Sequence, residues 1–219
     1  MKHLLLSILF LAVVGTSIAQ TTGQISYSMD FSSDNPDMAM AIPMMQGSTM
    51  ELYFIPEKSK IDMTMGTFMK MNTVVDVKAD KGLMLMEVMG NKSATEMKEL
   101  SKADQAEKTD QPKVEVTSET KDIVGYKCTK TISRDADGNE TIMWIATDLK
   151  ASLKGHQQFG NSKLAGVPLE FSTVNNGMSI HFVATKFTKK VDKKIFSMAI
   201  PEGYTVVSEE DLKNMGGGQ

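Results

Sequence analysis

The chain has 219 residues, a formal charge of −3, 41% hydrophobic and 6% aromatic residues, one cysteine, and 23 lysines against a single arginine. One cysteine excludes an intramolecular disulfide, and mild acidity with a lone arginine to grip phosphate argues against nucleic acid. Removing an N-terminal leader leaves about 200 residues, enough for one core that buries roughly 70% of the unfolded surface and hence for one domain.

In chain order, Lys2 and His3 precede an apolar run from Leu4 to Val14, followed by Ser17-Ile18-Ala19. A short apolar run ending in a small-x-small site reads as a signal peptide. Spanning a bilayer takes about 20 apolar residues, so an uncleaved anchor does not fit, and no later segment is long enough. The expectation is a signal at 1–19, cleavage after Ala19, and one domain over 20–219, periplasmic or secreted. Cleavage takes Lys2 away and shifts the formal charge from −3 to −4.

The first element, Ile25, Tyr27, Met29 and Phe31 alternating with Ser26, Ser28, Asp30 and Ser32, has the period of a half-buried strand. Residues 32–47, with Pro36, Pro43 and the apolar Met38-Ala39-Met40-Ala41-Ile42, read as a pliable flap or short helix. The period of two returns at Ile61-Met63-Met65, at Met69-Met71-Thr73-Val75-Val77, at Val124-Tyr126-Cys128, at Ile142-Trp144-Ala146 and at Met178-Ile180-Phe182-Ala184. Ser93 followed by Glu96 resembles a capping box that opens a short helix toward Ala103, and Ser101 to Pro112 reads as a connector. Asp137-Gly138 and Asn175-Asn176-Gly177 have hairpin-turn chemistry. Ser208 with Glu209, Glu210 and Asp211 opens a terminal helix that Gly216-Gly217-Gly218 would end. One-sided strands of this kind belong to antiparallel sheets. About ten of them, with two short helices and one apolar flap, predict a mainly β domain: a long curved antiparallel sheet forming an open half-barrel.

Between residues 29 and 97 lie 14 of the 19 methionines, many two apart: Met38/Met40, Met63/Met65, Met69/Met71 and Met84/Met86. Residues i and i+2 share one face of a strand, so the pairs set thioethers side by side. Methionine is flexible and polarizable, whereas core builders favour Leu, Ile and Val. Three readings follow. The first is a lining for an apolar small molecule or a lipidated partner, with residues 32–47 as a lid. The second is a soft site for monovalent copper, whose thioethers lie roughly 6.6 Å apart along a strand. The third is a closed structural or interaction module. Copper ranks second because only His156 and His181 remain after the leader, neither near a methionine pair in sequence. Tyr126, Trp144 and Phe171 join the pairs as pocket candidates.

Cys128 reads as a small hydrophobe. Asp135-x-Asp137-Gly138 falls short of a calcium loop. No phosphate loop, serine elbow or zinc-peptidase motif is present. The sequence therefore predicts no catalytic residues, no metal and no cofactor, and sets no oligomeric state.

Five segments resemble the exported bacterial proteins of domain-of-unknown-function family 4412. They are Gly23-Gln24-Ile25-Ser26-Tyr27, Asp62-Met63-Thr64-Met65, Lys121-Asp122-Ile123-Val124-Gly125-Tyr126-Lys127-Cys128, Gly166-Val167-Pro168-Leu169-Glu170 and Ile200-Pro201-Glu202-Gly203-Tyr204. The resemblance implies a Gram-negative envelope protein with a fold similar to the lipoprotein-carrier half-barrel and an apolar ligand on its concave face. It carries over no catalytic residues.

Overall fold

The computed structural model describes residues 19–101, 113–134, 140–156, 159, 164–175 and 177–211. Its strands are β1 (Gly23–Ser32), β2 (Thr49–Ile55), β3 (Lys58–Met65), β4 (Met69–Asp76), β5 (Lys81–Val88), β6 (Asn91–Lys98), β7 (Lys113–Ile123), β8 (Tyr126–Arg134), β9 (Glu140–Ala146), β10 (Val167–Asn175), β11 (Met178–Thr188) and β12 (Thr205–Val206). They form one sheet in the order β12-β6-β5-β4-β3-β2-β1-β11-β10-β9-β8-β7. Every neighbouring pair is antiparallel except β12 with β6, and the two ends of the order do not join, so the sheet is open. No helix among the described residues is long and apolar enough to cross a membrane.

The alternation seen in the sequence becomes the burial pattern. Ile25, Tyr27 and Met29 of β1, Met50, Leu52 and Phe54 of β2, and Ile61 and Met63 of β3 are buried on one inner face. They share a core with Met143 and Ile145 of β9, Leu169 and Phe171 of β10 and Phe182 and Ala184 of β11. The sheet bends to bring the two groups together. Tyr126 on β8 packs edge-on against Phe187 on β11, three strands away, with ring centroids 4.9 Å apart. Tyr27 sits opposite the small Ala184, and its hydroxyl donates to the Pro168 carbonyl on β10 at 2.9 Å. The β9–β10 register shifts between Pro168 and Glu170, and such a bulge disrupts the local ladder there.

The long connection from β9 to β10 fills this core from one end. Leu149, His156 and Phe159 are buried, and Leu153 and Leu164 pack on the same cluster. His156 Nε2 is 2.8 Å from Ser59 Oγ on β3, and a side chain at Gly155 would press on Val75 and Leu100. Gln20 pins the start of this plug by donating its N–H to the Asp148 carbonyl and accepting from the Lys150 N–H. On the outer face, Val74, Leu83 and Ala94 are buried as well. The chain after β11 returns across that side, touching β3 through a 3₁₀ turn (Lys193–Phe196) with buried Phe196, and reaches β6 as β12.

Several expectations are corrected. Ser93 and Glu96 lie in β6, paired with Met86 and Leu83, so the capping-box pattern is a strand here. Helical geometry begins only at Leu100 and Ser101. Val124 is not in a strand. With φ of 45° it forms a two-residue turn with Gly125 between the paired Ile123 and Tyr126. In β9 Met143, Ile145 and Ala146 are buried, while Ile142 is 45% exposed and Trp144 half-buried. Of the Ile142-Trp144-Ala146 set, only Ala146 is dry.

Residues 32–47 hold α1 (Pro36–Ala39) and a 3₁₀ turn (Ile42–Met45). The end of this segment is tied down. Ser48 Oγ donates to the Met45 carbonyl and accepts the Gly66 N–H, and any side chain at Gly66 would strike the Met44 carbonyl. Of the predicted terminal helix, Ser208 caps the Asp211 N–H at 3.0 Å. The remainder, the Asp137-Gly138 turn and most of the 101–112 connector lie outside the described residues.

Candidate functional site: the methionine end of the inner face

Register turns the methionine pairs into a ladder. Tyr27 faces Met50, Met50 faces Met63, Met63 faces Met71, Met71 faces Met86, and Met86 faces Ser93. Directly opposite residues have Cβ atoms roughly 4.5–5.5 Å apart, so neighbouring side chains in this row are within reach of one another. One step nearer the sheet end, Met65 faces Met69, which faces Val88. One step nearer the plug, Ile61 faces Thr73, which faces Met84. The six strand methionines singled out in the sequence thus share one face. Their cover differs by row.

Met63 and Met84 are only 6% and 7% exposed, whereas Met65, Met69, Met71 and Met86 are half-buried. The plug's His156 reaches Ser59 and its Gly155 lies against Val75, the inner-face row of β3 and β4 farthest from Met65 and Met69, while its Phe159 packs on Phe171 of β10. Met40, between α1 and the 3₁₀ turn, is 80% exposed, and at the end away from Ser59 Met44, Phe68 and Met89 are 62, 38 and 78% exposed. Phe68 and Met89 sit in the β3–β4 and β5–β6 turns, joined by a hydrogen bond from the Met89 N–H to the Phe68 carbonyl at 3.1 Å. Met44 meets the same end through Gly66. Met38, in α1, is half-buried, so neither Met38 nor Met40 belongs to the sheet face.

Met89 has φ of 50°, in the left-handed region, followed by Gly90 at 86°. Two-residue turns with both φ positive favour Asn-Gly, and a non-glycine residue with a Cβ is disfavoured there by roughly 1–2 kcal/mol. Stability alone does not select an exposed methionine at that position.

The three aromatic candidates do not join the methionines. Phe171 is a core residue of the plugged end, stacked on Phe182 at 4.6 Å and met by Phe159 at 5.1 Å and Tyr27 at 6.1 Å. Tyr126 lies on Phe187, and burial raises its phenol pKa. Trp144 faces the opposite, outer side, where it lines a depression with Lys130, Ile142, Glu170, Ser172 and His181. Lys121 Nζ lies 4.3 Å above its ring and 2.6 Å from Glu170. The sequence pointed to Trp144 alone. Its polar partners occupy alternate positions of β8, β10 and β11, and only cross-strand register assembles them.

Two titratable groups are inert by burial. The Cys128 thiol is pushed up to about 11, chiefly by desolvation, so the reactive thiolate is disfavoured. His156 is pulled down to about 4 by desolvation and is neutral at pH 7. Ser172 Oγ lies 2.9 Å from His181 Nδ1, but His181 Nε2 is 3.9 Å from Glu170, whose other oxygen is committed to Lys121. The tight carboxylate–imidazole coupling of a nucleophilic triad is missing from this trio. Among the described residues, no group of three His, Cys, Asp or Glu could hold a metal.

The profile of the family described as "Domain of unknown function (DUF4412)" matches residues 36–204. Among curated proteins, none matches the chain. Of solved structures, two crystal forms of PNGF-II align at 19% identity over 89% and 90% of this chain, with TM-scores of 0.51 and 0.53. The chain spans about a third of the length of those proteins (32% and 33%), and at that identity the likeness is one of fold. An uncharacterized conserved protein from Thermus thermophilus aligns at 11% identity over 88% of this chain and 95% of its own, with a TM-score of 0.48.

Proposed function

The chain belongs to the DUF4412 family, whose description names no activity, and from its own geometry we propose that it is a non-enzymatic binding protein of the cell envelope. The ligand is apolar, the acyl chain of a lipid or of a lipidated partner, held at the methionine end of a sheet that works as a half-barrel. The observation that carries this reading is the continuity between the half-covered Met65, Met69, Met71 and Met86 and the exposed rim of Met44, Phe68 and Met89. Apolar area leaving water there is worth roughly 25 cal/mol per Å², and flexible thioethers adapt to chains of different shape. Met89 supports the reading from a second direction, since its side chain is kept at a backbone position that disfavours it. Export fits the leader at 1–19. The first residue after it, Gln20, is also the one whose backbone pins the plug.

Met65→Lys tests the site. At a half-covered position the charged head reaches water, so cooperative melting persists near the parent temperature while uptake of a fluorescent fatty acyl probe falls at least tenfold. Loss of folding, or a parent protein that takes up no probe, contradicts the proposal. The Met50–Met63–Met71–Met86 row also favours the copper reading, and Met63→Leu with Met65→Leu separates the two. That exchange keeps volume and apolarity while deleting thioethers, so acyl uptake survives it and a monovalent copper site does not.

A further inference from the structure

The outer depression beside Trp144, about 340 Å³ in volume, is built differently from the methionine end. Register defines its walls. Lys121 pairs with Cys128, which pairs with Ala146, whereas Lys130 pairs with Trp144 and Trp144 with Glu170. Lys121 therefore reaches the indole from the Ala146 side. The ring's other side turns toward Ile142, Ser172 and His181, which line the depression with it.

The charges around the depression are compensated in place. Lys121 is held by Glu170 at 2.6 Å and Lys130 by Glu119 at 2.8 Å. A ligand of either sign would have to break one of these pairs. A neutral one need not.

The polar groups are also spaced for hydroxyls. In the tautomer in which Nδ1 accepts from Ser172, the His181 Nε2–H is the free donor, and Nε2 stands 3.9 Å from Glu170 Oε1. That gap is too long for a direct hydrogen bond. One ligand hydroxyl can close it by accepting from Nε2–H and donating to the carboxylate. The half-buried indole and the 45% exposed Ile142, both lining the depression, supply apolar contact for the ring that bears the hydroxyl. The volume is near the lower end of ligand sites, which suits one or two rings rather than a long chain.

We infer that this depression is a second binding site, for a neutral sugar ring stacked on Trp144 with a hydroxyl bridging His181 and Glu170. It is independent of the acyl site on the opposite face.

Trp144 is the chain's only tryptophan, so its emission reports this site alone. The full chain is titrated with glucose, galactose, mannose, N-acetylglucosamine, maltose and lactose up to about 50 mM, a ceiling that admits affinities as weak as roughly −2 kcal/mol. At least one is expected to give a saturable emission change. His181→Ala and Glu170→Gln each weaken it at least tenfold while melting stays cooperative, and Met65→Lys leaves it unchanged. Absence of any saturable change, a change that persists in both His181→Ala and Glu170→Gln, or stronger binding of inorganic phosphate than of every sugar overturns the inference.

Discussion

Two groups of strands share the inner face and solve opposite problems, β1, β10 and β11 beside the plug and β3, β4 and β5 at the methionines. At the plugged end, Phe171, Phe182, Phe159 and Tyr27 lock into stacked, tilted and edge-on contacts, the Tyr27 hydroxyl is satisfied by Pro168, and Leu149, His156 and Phe159 of the β9–β10 connection are buried there. At the methionine end, cross-strand rows of thioethers stop half-covered, and the turns beyond them expose Phe68 and Met89. Aromatic rings give a core one arrangement, whereas methionine leaves many. One end carries the stability and the other carries the adaptable surface.

Substitutions should separate the two ends. Phe171→Ala removes a buried ring touched by three other aromatic side chains and is expected to cost about 3–5 kcal/mol, read from urea unfolding. Met71→Ala, in the half-covered ladder, is expected to cost about 1–2 kcal/mol. Equal costs would erase the distinction.

Acid should attack the plugged end first. The folded-state pKa of His156 is lowered to about 4 from 6.5, so the unfolded chain binds a proton at higher pH than the folded chain does. Stability from keeping this ring neutral is fully present above pH 6.5 and is lost as pH falls from there toward 4. The loss amounts to about 3 kcal/mol. His156→Gln should flatten urea midpoints between pH 7 and pH 4.5. A wild-type midpoint that does not fall over that interval contradicts the assignment.

The smallest effect has the most telling sign. Met89→Asn places a favoured residue in the left-handed turn before Gly90, and should stabilise the protein by about 0.5–1 kcal/mol while weakening acyl-probe uptake. A variant that is more stable and binds the probe unchanged removes Met89 from the site.

Much of this was legible before the structure. Period-two alternation located β1, β3, β4 and β11, whose apolar residues alternate in sequence, and it put six methionines on one side. It misled in β9, where Ile142, Met143, Trp144, Ile145 and Ala146 are all apolar and parity has nothing to discriminate. Ser93 and Glu96 satisfied a capping pattern that is also a strand pattern, and pairing with β5 decided between them. Val124 was hidden because a β-branched residue is rarely placed at positive φ. The plug has no periodicity to read, so whether the methionine face was covered could not be judged from parity. The Met50–Met63–Met71–Met86 row and the Trp144 depression are products of register between neighbouring strands, which the parity within any one strand does not supply.

The central claim is that an acyl chain binds where the plug does not reach, and methyl resonances of the methionines test it most directly. On titration with decanoate, the account predicts saturable shifts for the ε-methyl groups of Met65, Met69, Met71 and Met86, with the buried Met143 and Met178 unmoved. Shifts confined to Met143 and Met178, or no saturable shift in any methionine, would contradict it.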